Sequence, residues 1–266
     1  MRKSAEYAGR LRKLFHRLRR GGGKASLATV EDATETLLLG ILSNYASEKK
    51  AAAALDKLLA ETVDLNDLRV TPVADMVVCI GVDYPHCRIA AEEISRVLTA
   101  IFNRTHDLDL NFLATFSKKA ASSFLDSLDG LSPHAKAFFM QRFLNAHAIP
   151  LDMNMHAYLI RNACLAEDTS VANAQRFLGN VIRERDRSSF YALLKRSAAA
   201  HAPRKAAEAG KRPAKPAAKK PTASKTPKKK AESTRSRVKK ITKKTAKKGK
   251  SKTKAPRSKK RTARRR

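Results

Sequence analysis

The residues of this chain best suited to do chemistry fall between Phe124 and Leu165. Phe124-Leu125-Asp126-Ser127-Leu128-Asp129-Gly130-Leu131-Ser132-Pro133-His134-Ala135-Lys136-Ala137-Phe138-Phe139 reads as a helix, a tight turn at Gly130, and a second helix. Ser132 is its N-cap and Pro133 its first helical residue. Such a hairpin presents successive backbone N–H groups where the second helix begins, and orphan donors at the positive end of a helix dipole favour a phosphate. Gly130, Leu131, Ser132 and Lys136 are therefore candidate contacts to a nucleic-acid backbone gripped without reading bases. Farther on, Ile149-Pro150-Leu151-Asp152-Met153-Asn154-Met155 sets a lone carboxylate at the mouth of the next helix. Asp152 is either a plain N-cap there or a functional acid.

Helices must position these residues. From Ser26 to about Ala198 the apolar residues recur at helical spacing, with no period-2 alternation long enough for a sheet, so the expected fold class is all-α. The spacing predicts helices over 30–42, 47–62, 72–80, 85–103, 117–127, 133–147, 153–165, 170–183 and 188–197. Thr71, Pro72 and Asp75 read as N-cap, first helical residue and first-turn acid. The candidate core is Leu37, Leu38, Ile41, Leu55, Leu58, Leu59, Ile94, Val97, Leu98, Ile101, Phe102, Phe138, Phe139, Phe143 and Leu159. Ahead of this domain, Tyr7, Leu11, Leu14, Phe15 and Leu18 form one stripe of a basic amphipathic helix. That helix packs on the domain, touches phosphate or lies on a membrane surface. Gly21, Gly22 and Gly23 read as a hinge after it.

Charge divides the 266 residues into three parts. The chain carries 56 Lys+Arg against 24 Asp+Glu, a net of +32. Residues 1–24 hold 9 basic and 1 acidic side chains and residues 201–266 hold 29 and 2, leaving a near-neutral middle. The expected organisation is a basic helix and hinge over 1–24, a helical domain over 25–198, and a disordered Lys/Arg/Ala/Pro-rich tail over 199–266. With Val238 and Ile241 almost its only large apolar residues, the tail cannot offset the ~1–2 kcal/mol per residue that ordering a backbone costs. Its lysines would follow any phosphate backbone, each neutralised phosphate adding about −0.9 to the salt slope on duplex DNA. In composition it resembles the tails of linker histones and bacterial histone-like proteins. Cys79, Cys87 and Cys164 contain no C-x-x-C pair, so they suggest neither a disulfide framework nor a four-thiolate metal site, and no cofactor is expected. No apolar run approaches the ~18 residues of a membrane span, and Met1-Arg2-Lys3 is not followed by a signal-like apolar region. A monomer in the cytoplasm, associated with the nucleoid (or in a nucleus), is the expectation.

The stretch from 124 to 165 resembles the helix-hairpin-helix DNA glycosylase superfamily, most closely its endonuclease III branch. That family's hairpin reads leucine-proline-glycine-valine-glycine-proline-lysine-threonine-alanine and its catalytic loop valine-aspartate-threonine-histidine-valine. Here the hairpin is Leu128-Asp129-Gly130-Leu131-Ser132-Pro133-His134-Ala135-Lys136 and the loop Leu151-Asp152-Met153-Asn154-Met155, with the family's separation between Gly130 and Asp152. Upstream, Thr36-Leu37-Leu38-Leu39-Gly40-Ile41-Leu42-Ser43-Asn44 resembles the family's first core helix, and Val78-Cys79-Ile80-Gly81-Val82-Asp83-Tyr84 its glycine turn before a long helix. The resemblance covers most of residues 30–195. It implies double-stranded DNA, damaged or distorted, as partner, and base-excision repair as activity.

The resemblance also assigns roles and marks departures. Asp152 takes the place of the essential aspartate, which would stabilise an oxocarbenium-like sugar or activate a water as the glycosidic bond breaks. Ser43 and Asn44 stand where a loop fills the gap left by a flipped base. His134 occupies the position of the lysine whose amine forms a Schiff base with the sugar. Imidazole has no primary amine, so His134 is expected to contact the extruded nucleotide or to be a satisfied polar residue, and lyase chemistry by that route is not expected. Lys136 lies roughly 200° around the helix from that position and is a poor substitute. Ser132 replaces the second hairpin glycine, which would strain a left-handed backbone but suits an N-cap. The cysteines that hold the family's iron–sulfur cluster are missing. The sequence thus favours a monofunctional DNA N-glycosylase; the rival readings are a non-catalytic architectural or histone-like DNA-binding protein and an RNA-associated basic protein.

Overall fold

The computed structural model describes residues 2–21 and 32–201. All regular structure among them is helical: α1 (Arg2–Gly21), α2 (Ala33–Ser43), α3 (Glu48–Glu61), α4 (Leu65–Val70), α5 (Val73–Ile80), α6 (Cys87–Thr105), α7 (Lys118–Asp126), α8 (Pro133–Arg142), α9 (Met153–Arg161), α10 (Val171–Val181) and α11 (Arg187–Ala200), with single 3₁₀ turns at Asn111–Thr115 and Glu184–Asp186. Most starts are fixed locally by a side chain that accepts an orphan amide. Asp32, Ser47, Asp64, Ser117, Ser132, Asp152 and Ser170 each accept the N–H three residues on.

Helix α2 is the centre of the bundle. Every residue in it except Glu35 is buried, the signature of a helix surrounded on all sides. It packs on α3 and on α8, and its approach to α8 depends on one glycine. A Cβ on Gly40 would meet Phe138 Cδ1 at 3.1 Å and the Ala135 backbone at 3.3 Å. Helix α11 packs against α9 and α1. Leu11, Leu14 and Leu18 of α1 are buried there, Phe15 meets Phe190 edge-on at 5.3 Å, and the basic side chains of α1 from Arg10 to Arg20 face outward. Arg17 reaches Asn162 Oδ1 at 2.8 Å and Arg10 the Ala163 carbonyl at 3.3 Å. Packing on the domain is therefore the arrangement of this helix. No helix among the described residues is long and apolar enough to cross a membrane.

Several local expectations need correction. Thr71 does not open α5. It closes α4, a helix the periodicity did not predict, and its hydroxyl donates back to the Asp67 carbonyl at 2.8 Å, while Pro72 precedes α5 without a side-chain cap. The helix expected to run to residue 147 ends at Arg142, because Asn145 takes a left-handed φ of 50°. Leu59, Phe102 and Phe143 are only partly buried; the other candidate core residues are buried. Gly21 closes α1, whereas Gly22, Gly23 and the basic tail beyond His201 lie outside the described residues.

Candidate active site

The hairpin forms as its residues dictate. Gly130 has φ +80°, which glycine alone adopts without strain, and a Cβ there would also press on Arg96 Cβ at 3.2 Å. Ser132 has φ −70°, so the position of the missing second glycine carries no strain; its hydroxyl caps the Ala135 amide at 3.3 Å. Lys136 pairs with Asp126 at 2.6 Å and links the two helices of the hairpin. Leu131 is partly buried against the core.

The expected row of open amides is shorter than the sequence suggests. Ser132 donates its N–H to Glu93 Oε1 of α6 at 2.9 Å, and Tyr45 donates its hydroxyl to Glu93 Oε2 at 3.0 Å. Glu93 is 3% exposed; burial raises its pKa above the ordinary carboxyl value, while the bonds from Ser132 and Tyr45 pull the other way. Burial, reinforced by the Glu93 charge, pushes the Tyr45 hydroxyl up to about 12, so Tyr45 stays a donor. A carboxylate of the chain thus already occupies one amide that the hairpin was expected to offer to phosphate. Among the described residues, the amides of Gly130 and His134 make no hydrogen bond within the chain.

His134 points inward. It is 2% exposed, with Nδ1 donating to the Gly40 carbonyl at 3.2 Å, since a carbonyl only accepts. Its ring lies 6.2 Å from Phe138 and 6.4 Å from Tyr191, and Nε2 is buried without a partner. Burial, then the nearby Lys195 charge, holds its pKa well below the ordinary histidine value against the Gly40 bond, so the imidazole is neutral. Ser43 also turns inward. It is fully buried, its hydroxyl donating to the Gly40 carbonyl at 3.1 Å, so this side chain is not exposed where a loop was expected to fill the gap left by a flipped base. Asn44 follows it as the partly exposed C-cap of α2.

Asp152 does two things at once. Oδ1 accepts the Met155 amide at 2.7 Å as the cap of α9, and Oδ2 pairs with Lys195 Nζ at 2.7 Å. The carboxylate side chain is 5% exposed and the lysine side chain 12%. Lys195 Nζ also donates to the Ser43 carbonyl, so α2, α9 and α11 meet at this ammonium. The structure therefore brings together Asp152, His134 and the backbone of Ser43 around a residue the sequence reading missed. The signal was available: Arg187, Tyr191, Leu194 and Ala198 mark the buried stripe of α11, and Lys195 sits beside it, one turn after Tyr191. Tyr191 completes the floor. Its hydroxyl lies beside Ser43 but closes no hydrogen bond of good geometry, and burial raises its pKa far above the usual phenol range.

No protein-family model matches the sequence, and no curated protein sequence does. Solved structures do match in shape. One is an endonuclease III–DNA covalent intermediate trapped as an estranged-adenine complex, at 15% identity and TM-score 0.55, spanning 71% of this chain and 84% of that one. Another is the Clostridium acetobutylicum 8-oxoguanine glycosylase/lyase in complex with double-stranded DNA containing cytosine opposite 8-oxoG, at 14% identity and TM-score 0.54, over 73% and 69% of the two chains. A thermostable thymine-DNA glycosylase matches at 15% identity and TM-score 0.51, over 77% and 90%.

The chain has the helix-hairpin-helix DNA glycosylase fold. Within this glycosylase fold the hairpin is α7–α8 and the carboxylate opens α9, the arrangement that the spacing of Gly130 and Asp152 suggested. The residues present do not suit an iron–sulfur cluster: among the described residues no three His, Cys, Asp or Glu side chains come together as a metal site, and the three cysteines are free.

Proposed function

We propose that this protein is a DNA glycosylase of base-excision repair, acting on a base everted from damaged or distorted duplex DNA. The observation that carries this reading is the Asp152 carboxylate, buried at the mouth of α9 beside the end of α2 and the first turn of α8. Departure of a base leaves positive charge on the sugar at C1′ and O4′. A carboxylate in a site of low dielectric stabilises that charge and can take a proton from an attacking water. The hairpin's open amides at Gly130 and His134 would hold a phosphate of the same strand. Asn44, the partly exposed residue after Ser43, would face the vacated stack. The hairpin's amine, Lys136, is paired with Asp126 and not with Asp152, so the simplest activity is hydrolysis of the N-glycosidic bond by a monomer. The basic tail would raise residence time on DNA of any sequence.

A second reading, a non-catalytic architectural protein, is favoured by two observations. Glu93 fills one hairpin amide, and Lys195 already neutralises Asp152. Incubation with duplexes carrying single lesions (oxidised pyrimidine, uracil, alkylpurine, mismatched adenine), followed by hot alkali, separates the two. Strand breaks that fall about 10²- to 10⁴-fold in Asp152→Asn support the glycosylase. Asn still caps a helix but leaves the Lys195 ammonium without its carboxylate, so a thermal melt establishes that this variant is folded before its cleavage is compared. Absence of breaks on every lesion supports the architectural reading.

A further inference from the structure

We propose that Lys195 of α11 is an amine nucleophile, so that this protein cleaves abasic sites through a Schiff base formed by a lysine that lies outside the hairpin. The inference rests on the glycosylase reading of Asp152 and extends it. A carboxylate that stabilises charge on C1′ has to lie within a few ångströms of that carbon. An amine 2.7 Å from the same carboxylate is then within reach of it too, and the four-carbon stem of lysine allows the remaining adjustment.

Three features of the site set Lys195 apart from a lysine that merely neutralises a buried acid. Asp152 is already used as a helix cap, for which the Met155 amide suffices. A buried ion pair returns little more than its desolvation cost, so Asn at position 152, which also caps a helix, together with an apolar residue at position 195 would serve stability as well. Most telling is His134. A lysine at that position would set a second ammonium beside Lys195, whereas the imidazole is neutral, turned to the Gly40 carbonyl, and leaves Nε2 without a partner. Among the described residues the site therefore contains one amine near its carboxylate, delivered by α11 and not by α8.

The chemistry balances with the groups present. Lys195 gives a proton to Asp152 and its lone pair attacks C1′. The C1′–N bond to the base breaks, and the departing base takes that proton. The nitrogen then loses a second proton, the C1′–O4′ bond opens as the C1′=N bond forms, and O4′ takes the proton. The ammonium's three protons end as one on the iminium, one on the base and one on the sugar oxygen, with no change in total charge. On an abasic site the leaving group is water. The strand then breaks as the iminium loses a C2′ proton to a general base, the C2′=C3′ bond forms and the C3′–O3′ bond opens with the phosphate as leaving group.

The test uses the full chain. A duplex with a single abasic site is incubated with the protein and sodium borohydride, which reduces an iminium to a stable secondary amine, and the adduct is mapped by peptide mass spectrometry. The expected result is a covalent adduct on Lys195, lost in Lys195→Arg, which keeps the positive charge but not the primary amine. Lys195→Gln serves as a second variant, and thermal melts establish that each variant is folded. No adduct with the native chain, an adduct confined to tail lysines, or an undiminished yield in folded Lys195→Arg would overturn the assignment. The lesion panel keeps the two readings apart. Base release without a Lys195 adduct leaves the glycosylase standing and sinks this proposal. A Lys195 adduct without base release on any lesion sinks the glycosylase and supports an abasic-site lyase.

Discussion

Replacing Glu93 tests how the hairpin is held. Its two oxygens receive the Ser132 amide at 2.9 Å and the Tyr45 hydroxyl at 3.0 Å, and both donors are partly buried. Glu93→Ala leaves both without a partner. An orphaned donor costs about 1–3 kcal/mol, and partial burial puts these in the lower half of that range, so the expected loss is about 2–4 kcal/mol. Glu93→Gln keeps both contacts, since the amide oxygen accepts from Ser132 and the amide nitrogen donates to Tyr45. It also removes the cost of burying a charge. The pH dependence follows from the raised carboxyl pKa. Between the ordinary value of 4.5 and its raised value, the folded state keeps a proton that the unfolded chain releases. Stability contributed by this group is therefore full below pH 4.5, falls as pH rises through that window, and is flat above it. Urea unfolding at a series of pH values gives the free energies directly. Glu93→Gln should match or exceed the native stability at pH 7.5 and lack this fall, while Glu93→Ala should be weaker throughout. If the Gln variant is as damaged as the Ala variant, Glu93 does not hold the hairpin through these two bonds.

Other perturbations probe the packing and the charges. Gly40→Val should destabilise the fold by about 1–3 kcal/mol by forcing α2 off the Ala135 backbone, read as a lower urea midpoint at unchanged slope. His134→Lys, which restores the hairpin lysine of the glycosylases, should destabilise the protein by placing a second ammonium near Lys195. The double variant with Lys195→Gln should recover more than 1 kcal/mol relative to additivity in a double-mutant cycle. Removing residues 202–266 should lower duplex affinity alike for all sequences and flatten its salt dependence, by about 0.9 in slope for each phosphate the tail neutralises. Filter binding across a salt series measures this, and an unchanged slope would exclude the tail from the interface.

Much of the candidate site could be read from the sequence because its parts are local. Ser132, Pro133 and the left-handed Gly130 define the hairpin within a few residues of themselves, and Asp152 caps α9 through an amide three residues away. The short helix α4 escaped notice because six residues carry too little periodicity, although Asp64 supplied its cap. The early end of α8 turns on the left-handed Asn145, whose side chain is engaged by Arg187 from forty-two residues away.

What the sequence determined by itself was the helical class, the caps at Ser132 and Asp152, the hairpin and the order of its candidate groups, because each depends on backbone sterics and hydrogen bonds spanning three or four residues. The tertiary structure decided which way the side chains turn and what they meet. Glu93 reaches the Ser132 amide across 39 residues, and Lys195 reaches Asp152 across 43. Ser43 and His134 turn inward because α2 and α8 approach closely at Gly40. Such partners are chosen by the packing of whole helices, in which burial excludes water and leaves each polar group only the neighbours that the crossing geometry supplies.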